Sequence, residues 1–174
     1  MEQEFPASVR WYSFEIHPET PLEGQLMPSF PGRHEMADHL QAQGAQYGIQ
    51  FHFPDRLSNS HRALLASEFA RDQGRFGQFH PAVFYRYFTC GEDIGSWDVL
   101  RLAAEQAELD GDRMVRAVES GRYDARLDEA HQLGSAFGVD GTPTFIINRR
   151  YKIVGAQPYE LIFKALRQVL ESSS

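Results

Sequence analysis

In "HPAVFYRYF" and the residue before it, Phe79, Val83 and Tyr87 recur at four-residue steps, with Phe84 and Phe88 as a second row beside them. This period gives a helix with a wide apolar face, expected to be buried on more than one side. From about residue 33 to 137 the pattern stays helical and is repeatedly interrupted. Ser58, Asn59 or Ser60 caps "HRALLASEFARDQG", Ser96 caps "WDVLRLAAEQA", and Asp110 caps "GDRMVRAVES", each run followed by a glycine or charged stop. The middle of the chain therefore reads as a run of short helices.

The two ends follow other patterns. Residues 9–16, "VRWYSFEI", are short and rich in β-branched and aromatic side chains, which predicts a strand. Behind them Pro18, Pro21, Pro28 and Pro31 break residues 17–32 into an ordered surface loop. After Gly138, a helix-ending glycine, "TFIIN" and "YKIVG" flank a tight polar turn at Asn148 and Arg149, which predicts a hairpin. "PYELIFKALRQVL" opens with Pro158 at a helix start. It places Leu161, Ile162, Ala165, Leu166, Val169 and Leu170 on one face. The order strand, helical block, hairpin, helix predicts an α/β fold in which an all-helical insertion interrupts a small sheet.

Length and charge narrow the classes. A chain of 174 residues buries about 70% of its unfolded surface, enough for one continuous core. With 17 Lys and Arg against 24 Asp and Glu, the net charge of −7 repels phosphate backbones, so nucleic acid is not an expected partner. The opening "MEQEFPAS" has neither a basic n-region nor an apolar h-region, and no apolar run approaches the ~18 residues of a membrane span. Membrane is likewise not expected, and the reading is a cytoplasmic chain. A single cysteine forms no intrachain disulfide, which suits a reducing compartment.

Candidate chemistry is sparse. Cys90, in "YFTCGEDI", sits at the end of a helix, where the negative end of the macrodipole disfavours a thiolate. It is the one thiol candidate, and a spectator role is the expectation. His34 and His39 in "HEMADH" lie about 140° apart around a helix and cannot share one metal face. The remaining histidines show no ligand spacing, so no metal is expected. "LGSAFG" lacks the spacing of a nucleophile elbow, and Gly134, Gly138 and Gly141 do not make a nucleotide-binding loop. "GTPTF" by itself reads as a hairpin entry, with Pro143 at the first strand position where no ladder hydrogen bond is lost.

Its surroundings add a resemblance. "FGVDGTPTFIINRRYKIVGAQPYELIFKAL" closely resembles the C-terminal part of the DsbA-like thioredoxin superfamily. "VRWYSFEIHPETP" looks like the second core strand of its FrnE-like branch. "FPDRLSNSHRALLASEFARDQGRFGQFHPAVFYRYFTCGEDIGSWDVLRLAAEQAELD" looks like that branch's helical insertion, and "GAQPYE" resembles its last strand-to-helix junction. The resemblance implies an incomplete thioredoxin-like fold with a large all-helical insertion. Residues 1–174 then form a single DsbA-like domain, with 1–32 and 138–174 thioredoxin-like and 33–137 the insertion. It also implies thiol–disulfide oxidoreductase or isomerase activity, with no cofactor.

In that family the loop proline is cis and lies against a Cys-x-x-Cys pair. Carried over, Gly141, Thr142 and Pro143 form the substrate-binding loop. Thr142 offers its backbone groups to an extended peptide or a disulfide-containing protein, and Pro143 holds them in place. The family's Cys-x-x-Cys strand and helix would precede Val9, where only eight residues stand, against the roughly 20–30 that such a unit needs. The expectation is a chain that starts late relative to a longer frame, or else a natural short form. Either way it lacks the catalytic dithiol and is inactive alone, with no catalytic residue beyond the candidate Cys90.

The absent strand would be central. Its neighbours, 9–16 and the first hairpin strand, are then expected to have their gap filled by another chain (a homodimer completing the sheet), to close on each other, or to leave the protein poorly stable. Two other functions stay open. One is a non-catalytic peptide-binding or dimerisation module. The other is a relative of kappa-class glutathione transferases and hydroxychromene-carboxylate isomerases, which usually show a Trp-Gly-x-Asp-Arg-like stretch where this chain has "VGAQPYE".

Overall fold

Glycine and capping side chains cut the middle of the chain as the pattern predicts. The computed structural model describes residues 5, 8–27, 31–52 and 55–171. The element order is β1 (Gln25–Leu26), α1 (Arg33–Ala45), β2 (Arg56–Leu57), α2 (His61–Asp72), α3 (Phe76–Phe84), a π-helical turn (Tyr85–Thr89), α4 (Trp97–Gln106), α5 (Gly111–Glu119), α6 (Asp124–Ala136), β3 (Thr144–Ile147), β4 (Tyr151–Val154) and α7 (Tyr159–Glu171). The mixed α/β, helix-rich architecture agrees with the expected fold class. No helix among the described residues is long and apolar enough to cross a membrane.

The chain divides into two compact units, residues 17–127, and residues 1–16 with 128–174. These limits differ from those read from the sequence, 1–32 and 138–174 against 33–137.

In the unit formed by residues 17–127, α2 is the central helix, buried continuously from Leu65 to Ala70. Phe79, Leu100, Met114 and Tyr123 are the large side chains shut off from solvent around it, and Ala66, Ala70, Ala82, Ala103 and Ala104 are small enough to let neighbouring helices approach. The caps are local. Ser96 Oγ accepts from the Asp98 N–H at 3.3 Å, and Asp110 Oδ1 from the Arg113 N–H at 2.9 Å. At α2 it is Asn59 that caps, its Oδ1 accepting from the His61 N–H at 3.0 Å, while Ser60 makes no side-chain cap.

Two expectations are corrected in this unit. The loop at 17–32 contains β1, which pairs antiparallel with β2 (Gln25 with Leu57, Leu26 with Arg56). The prolines at 18 and 21 leave these backbone groups available, and the pairing partner lies about thirty residues away, beyond any local pattern. The expected loop residues 28–30 lie outside the described residues. The aromatic helix is not buried on two sides. Phe79 and Val83 are buried, but Phe84 and Tyr85 are 49% and 53% exposed. Phe84, still within α3, stands about 140° around the helix from Phe79 and so lies off the buried stripe.

In the other unit, β3 and β4 form the expected hairpin, with Thr144 opposite Val154, Phe145 opposite Ile153, Ile146 opposite Lys152 and Ile147 opposite Tyr151. Asn148 and Arg149 take left-handed backbone conformations, φ 50° and 56°, as a tight turn of this hand requires. Helix α6 ends in a Schellman motif. Gly138 has φ 60°, its N–H bonds the Ser135 carbonyl at 3.0 Å, and the Val139 N–H bonds the Gly134 carbonyl at 2.8 Å. On α7, Val169 is buried and Phe163 packs on Phe5 with ring centroids 5.0 Å apart, while Leu161 and Leu170 of the expected apolar face are exposed.

Residues 8–16 belong to neither helix nor strand, which corrects the strand expected at 9–16. β-Branched and aromatic composition is a propensity that tertiary context overrides, and the described strands pair as β1 with β2 and β3 with β4. His131 is one anchor of the segment. Phe14 meets the His131 ring edge-on at 5.2 Å, and the Glu15 N–H donates to His131 Nε2 at 3.1 Å. The two predicted neighbours therefore do not close on each other.

Candidate functional site

The loop between α6 and β3 is built by its own backbone and one hydroxyl. Thr144 Oγ1 donates to the Gly141 carbonyl at 2.6 Å and closes the loop. The Gly155 N–H donates to the Pro143 carbonyl at 2.8 Å and extends the β3–β4 ladder by one position. Lys152 Nζ reaches back across the hairpin to the Gly138 carbonyl at 2.8 Å. The Thr142–Pro143 peptide bond is cis.

The three residues singled out in the sequence, Gly141, Thr142 and Pro143, are consecutive at this entry. Thr142 and Pro143 are exposed and Gly141 is half-buried. A Cβ on Gly141 would meet nothing within 4 Å, so the loop does not need glycine there for space.

Backbone alternation decides which way the loop's polar groups face. In an antiparallel pair, residues alternate between pointing their N–H and C=O at the partner strand and pointing them away. Pro143 faces β4 through its bond from Gly155, so Thr142, Thr144 and Ile146 turn their backbone groups to the opposite edge. Among the described residues no strand lies on that edge, and the Thr142 N–H and carbonyl make no hydrogen bond. All four residues of β3 are half-buried, on both faces of the two-stranded sheet.

The sequence reading singled out Thr142 but missed Thr144, whose hydroxyl shapes the loop, and Ile146, which continues the same edge. Their even spacing from Thr142 was the available signal. It also passed over the charges at the ends of this strand. Asp140 lies before it and Arg149 and Arg150 after it, all exposed and without ion pairs among the described residues.

Cys90 belongs to the other compact unit. It is exposed and caps the π-helical turn, its N–H donating to the Tyr85 carbonyl at 3.0 Å. On the residues leading into that turn, His80 stacks between Phe76 and Phe84 at centroid distances of 5.2 and 4.4 Å. Burial, aided by the Arg71 guanidinium, lowers its pKa below the ordinary 6.5. Burial likewise raises the Tyr87 phenol above its ordinary value, opposed by a backbone hydrogen bond at Ser58 and reinforced by Asp93. His34 and His39 are both exposed on α1, and among the described residues no three His, Cys, Asp or Glu side chains gather as metal ligands do.

Comparison with known proteins agrees with this arrangement. The chain is 26% identical over 163 residues to YwbO of Bacillus subtilis, an uncharacterized protein, covering 91% of this chain and 80% of that one. Its fold matches a crystal structure described as a probable DsbA oxidoreductase from Streptomyces coelicolor, with a TM-score of 0.78 and 24% identity, over 91% of this chain and 73% of that chain. Residues 2–167 match the model of one family along their whole length, and the chain belongs to that family, the DSBA-like thioredoxin domain.

Proposed function

We propose that this chain is a thiol–disulfide oxidoreductase or isomerase of the FrnE-like branch whose residues 141–143 dock an extended substrate, and that these 174 residues carry out no dithiol exchange by themselves. The carrying observation is Thr142, exposed, with both backbone groups unbonded among the described residues, at the edge of β3 away from β4. An extended peptide laid along that edge accepts from the Thr142 N–H and donates to its carbonyl, so affinity comes from main-chain bonds and tolerates many side chains.

The chemistry needs a thiolate. It attacks one sulfur of a substrate disulfide, forms a mixed disulfide and releases the other sulfur as a thiolate; a second thiol then resolves the mixed disulfide. This sequence has one cysteine and no Cys-x-x-Cys. Cys90 at most takes the first step, and an added thiol must take the second.

Reduction of insulin in the presence of dithiothreitol tests the catalytic half of the reading. The expected rate is close to the uncatalysed one and the same for Cys90→Ser; rapid reduction that survives Cys90→Ser would overturn it. Binding of reduced, carboxymethylated insulin B chain tests the docking half. Thr142→Pro, which removes the exposed N–H, is expected to weaken binding, and equal binding by both chains argues against this loop. The β3 edge, unpaired among the described residues, also favours a second reading, a non-catalytic module that captures peptides or a second copy of itself. Binding with no exchange in any thiol buffer is its signature.

A further inference from the structure

Two Asp-Gly pairs occur in this chain, Asp110–Gly111 and Asp140–Gly141, and the fold sets them in opposite surroundings. Asp110 caps α5, its Oδ1 accepting the Arg113 N–H at 2.9 Å. Gly111 is the first residue of that helix, and a Cβ on it would stand 3.0 Å from Arg101 Cγ. Asp140 is exposed in the loop between α6 and β3, and among the described residues its carboxylate has no hydrogen bond or ion pair. The Gly141 N–H makes no hydrogen bond among them either, and nothing lies within 4 Å of where a Gly141 Cβ would be. We propose that Asp140–Gly141 is a site of spontaneous isoaspartate formation, and that Asp110–Gly111 is protected from the same reaction.

The reaction needs a carboxyl side chain free to turn back on its own main chain, an amide nitrogen not engaged in a hydrogen bond, and no side chain on the next residue to shield that nitrogen. The Gly141 nitrogen attacks Cγ of protonated Asp140. The N–Cγ bond forms, the Cγ–O bond breaks, and the hydroxyl leaves with the amide proton as water. Water then opens the cyclic imide. Attack at the Cγ carbonyl regenerates aspartate. Attack at the main-chain carbonyl leaves a chain that runs through Cβ and Cγ, one atom longer, with the former main-chain carboxyl as its side chain. The water lost in closure is returned on opening, so the net step is an isomerisation without a co-reactant. The bonds that build the loop use the carbonyls of Gly138 and Gly141 and leave the reacting groups untouched. At Asp110 the same closure has to break the cap, turn Gly111 out of the helix and displace Arg101. The added main-chain atom lies directly before Thr142. Its effect on docking rests on the reading above; formation of the isomer does not.

The experiment ages the folded 174-residue chain at neutral pH and physiological temperature. Tryptic peptides are then fragmented by electron transfer, which cleaves the Cα–Cβ bond of isoaspartate and so locates it. Isoaspartate should accumulate at residue 140 about tenfold faster than at residue 110 in the folded protein, and equally at both in a chain kept unfolded in urea, where the cap is gone. Gly141→Ala, for which the loop has room, should slow the reaction at residue 140 about tenfold by shielding the nitrogen. Folded protein that keeps aspartate at residue 140 while the unfolded chain isomerises there, equal rates at residues 110 and 140 in the folded state, or an undiminished rate in Gly141→Ala would each overturn the proposal. Insulin B-chain binding unchanged by complete isomerisation would count against the docking reading alone.

Discussion

The ring of Phe14 lies directly on Gly134, where a Cβ would stand 2.9 Å from Phe14 Cδ2 and nearer still to Cε2. Glycine in the interior of α6 is unfavourable for the helix, yet here it provides the hollow that seats residues 8–16. The Gly134→Ala change gains about 1 kcal/mol of helix propensity and meets an overpacking cost of about 1–3 kcal/mol. Urea unfolding should show a net loss of about 1 kcal/mol. With Phe14 already changed to Ala, the same substitution should become neutral or stabilising; an unchanged penalty in that background would mean that the ring is not what Gly134 accommodates.

The two helix caps should rank by their geometry. Asp110 accepts at 2.9 Å and Ser96 at 3.3 Å. Asp110→Ala should destabilise by about 1 kcal/mol, Asp110→Asn by a few tenths, and Ser96→Ala by less than Asp110→Ala. Thermal denaturation of the three variants orders them, and a reversed order would show that distance does not govern these caps.

His80 gives stability a pH dependence of definite sign. Its pKa in the folded protein lies below the ordinary 6.5, so the unfolded chain binds more protons in the window between the two values. Stability contributed by neutral His80 is full above about pH 6.5 and declines as pH falls toward the depressed value. His80→Phe keeps an aromatic between Phe76 and Phe84 and removes the proton. Denaturation at about pH 7.5 and about pH 5 should show a smaller acid loss for this variant than for wild type. Equal losses would place the acid sensitivity elsewhere.

Arg71 and Arg126 converge on one buried carboxylate. Glu68 Oε2 lies 3.2 Å from Arg71 Nε and 3.6 Å from Arg126 Nη1, and Arg126 also reaches Asp72 at 2.8 Å. Both guanidinium groups are partly solvated, so each single alanine variant should lose only about 1 kcal/mol. Removing both withdraws two cations from a carboxylate that is only 8% exposed, and the double variant should lose more than the sum by about 1 kcal/mol. A double-mutant cycle measures the coupling directly, and strict additivity would mean that solvent screens the site.

Several elements of this protein were legible in its sequence because their causes are local. Asp110 and Ser96 cap helices through bonds made two or three residues away, Gly138 ends α6 through bonds within one turn, and Asn148–Arg149 makes a hairpin because the turn and both strands are contiguous. The Gly141–Pro143 loop was visible for the same reason, as a motif at the entry of that hairpin.

What the tertiary structure decided depends on partners remote in sequence. "VRWYSFEI" has the composition of a strand and is not one among the described residues, since composition supplies only a propensity that the tertiary context overrides. Gln25–Leu26 has no strand-like pattern and is a strand, because Arg56–Leu57 lies beside it. Phe84 has the same hydrophobicity as Phe79 but faces solvent, because the helices packed around α3 cover the Phe79 and Val83 stripe and not the row beside it. The exposure of Thr142 belongs with these. Its residue type is written in the chain, but that its backbone groups are unbonded among the described residues follows from how the loop meets β3, which the sequence does not state.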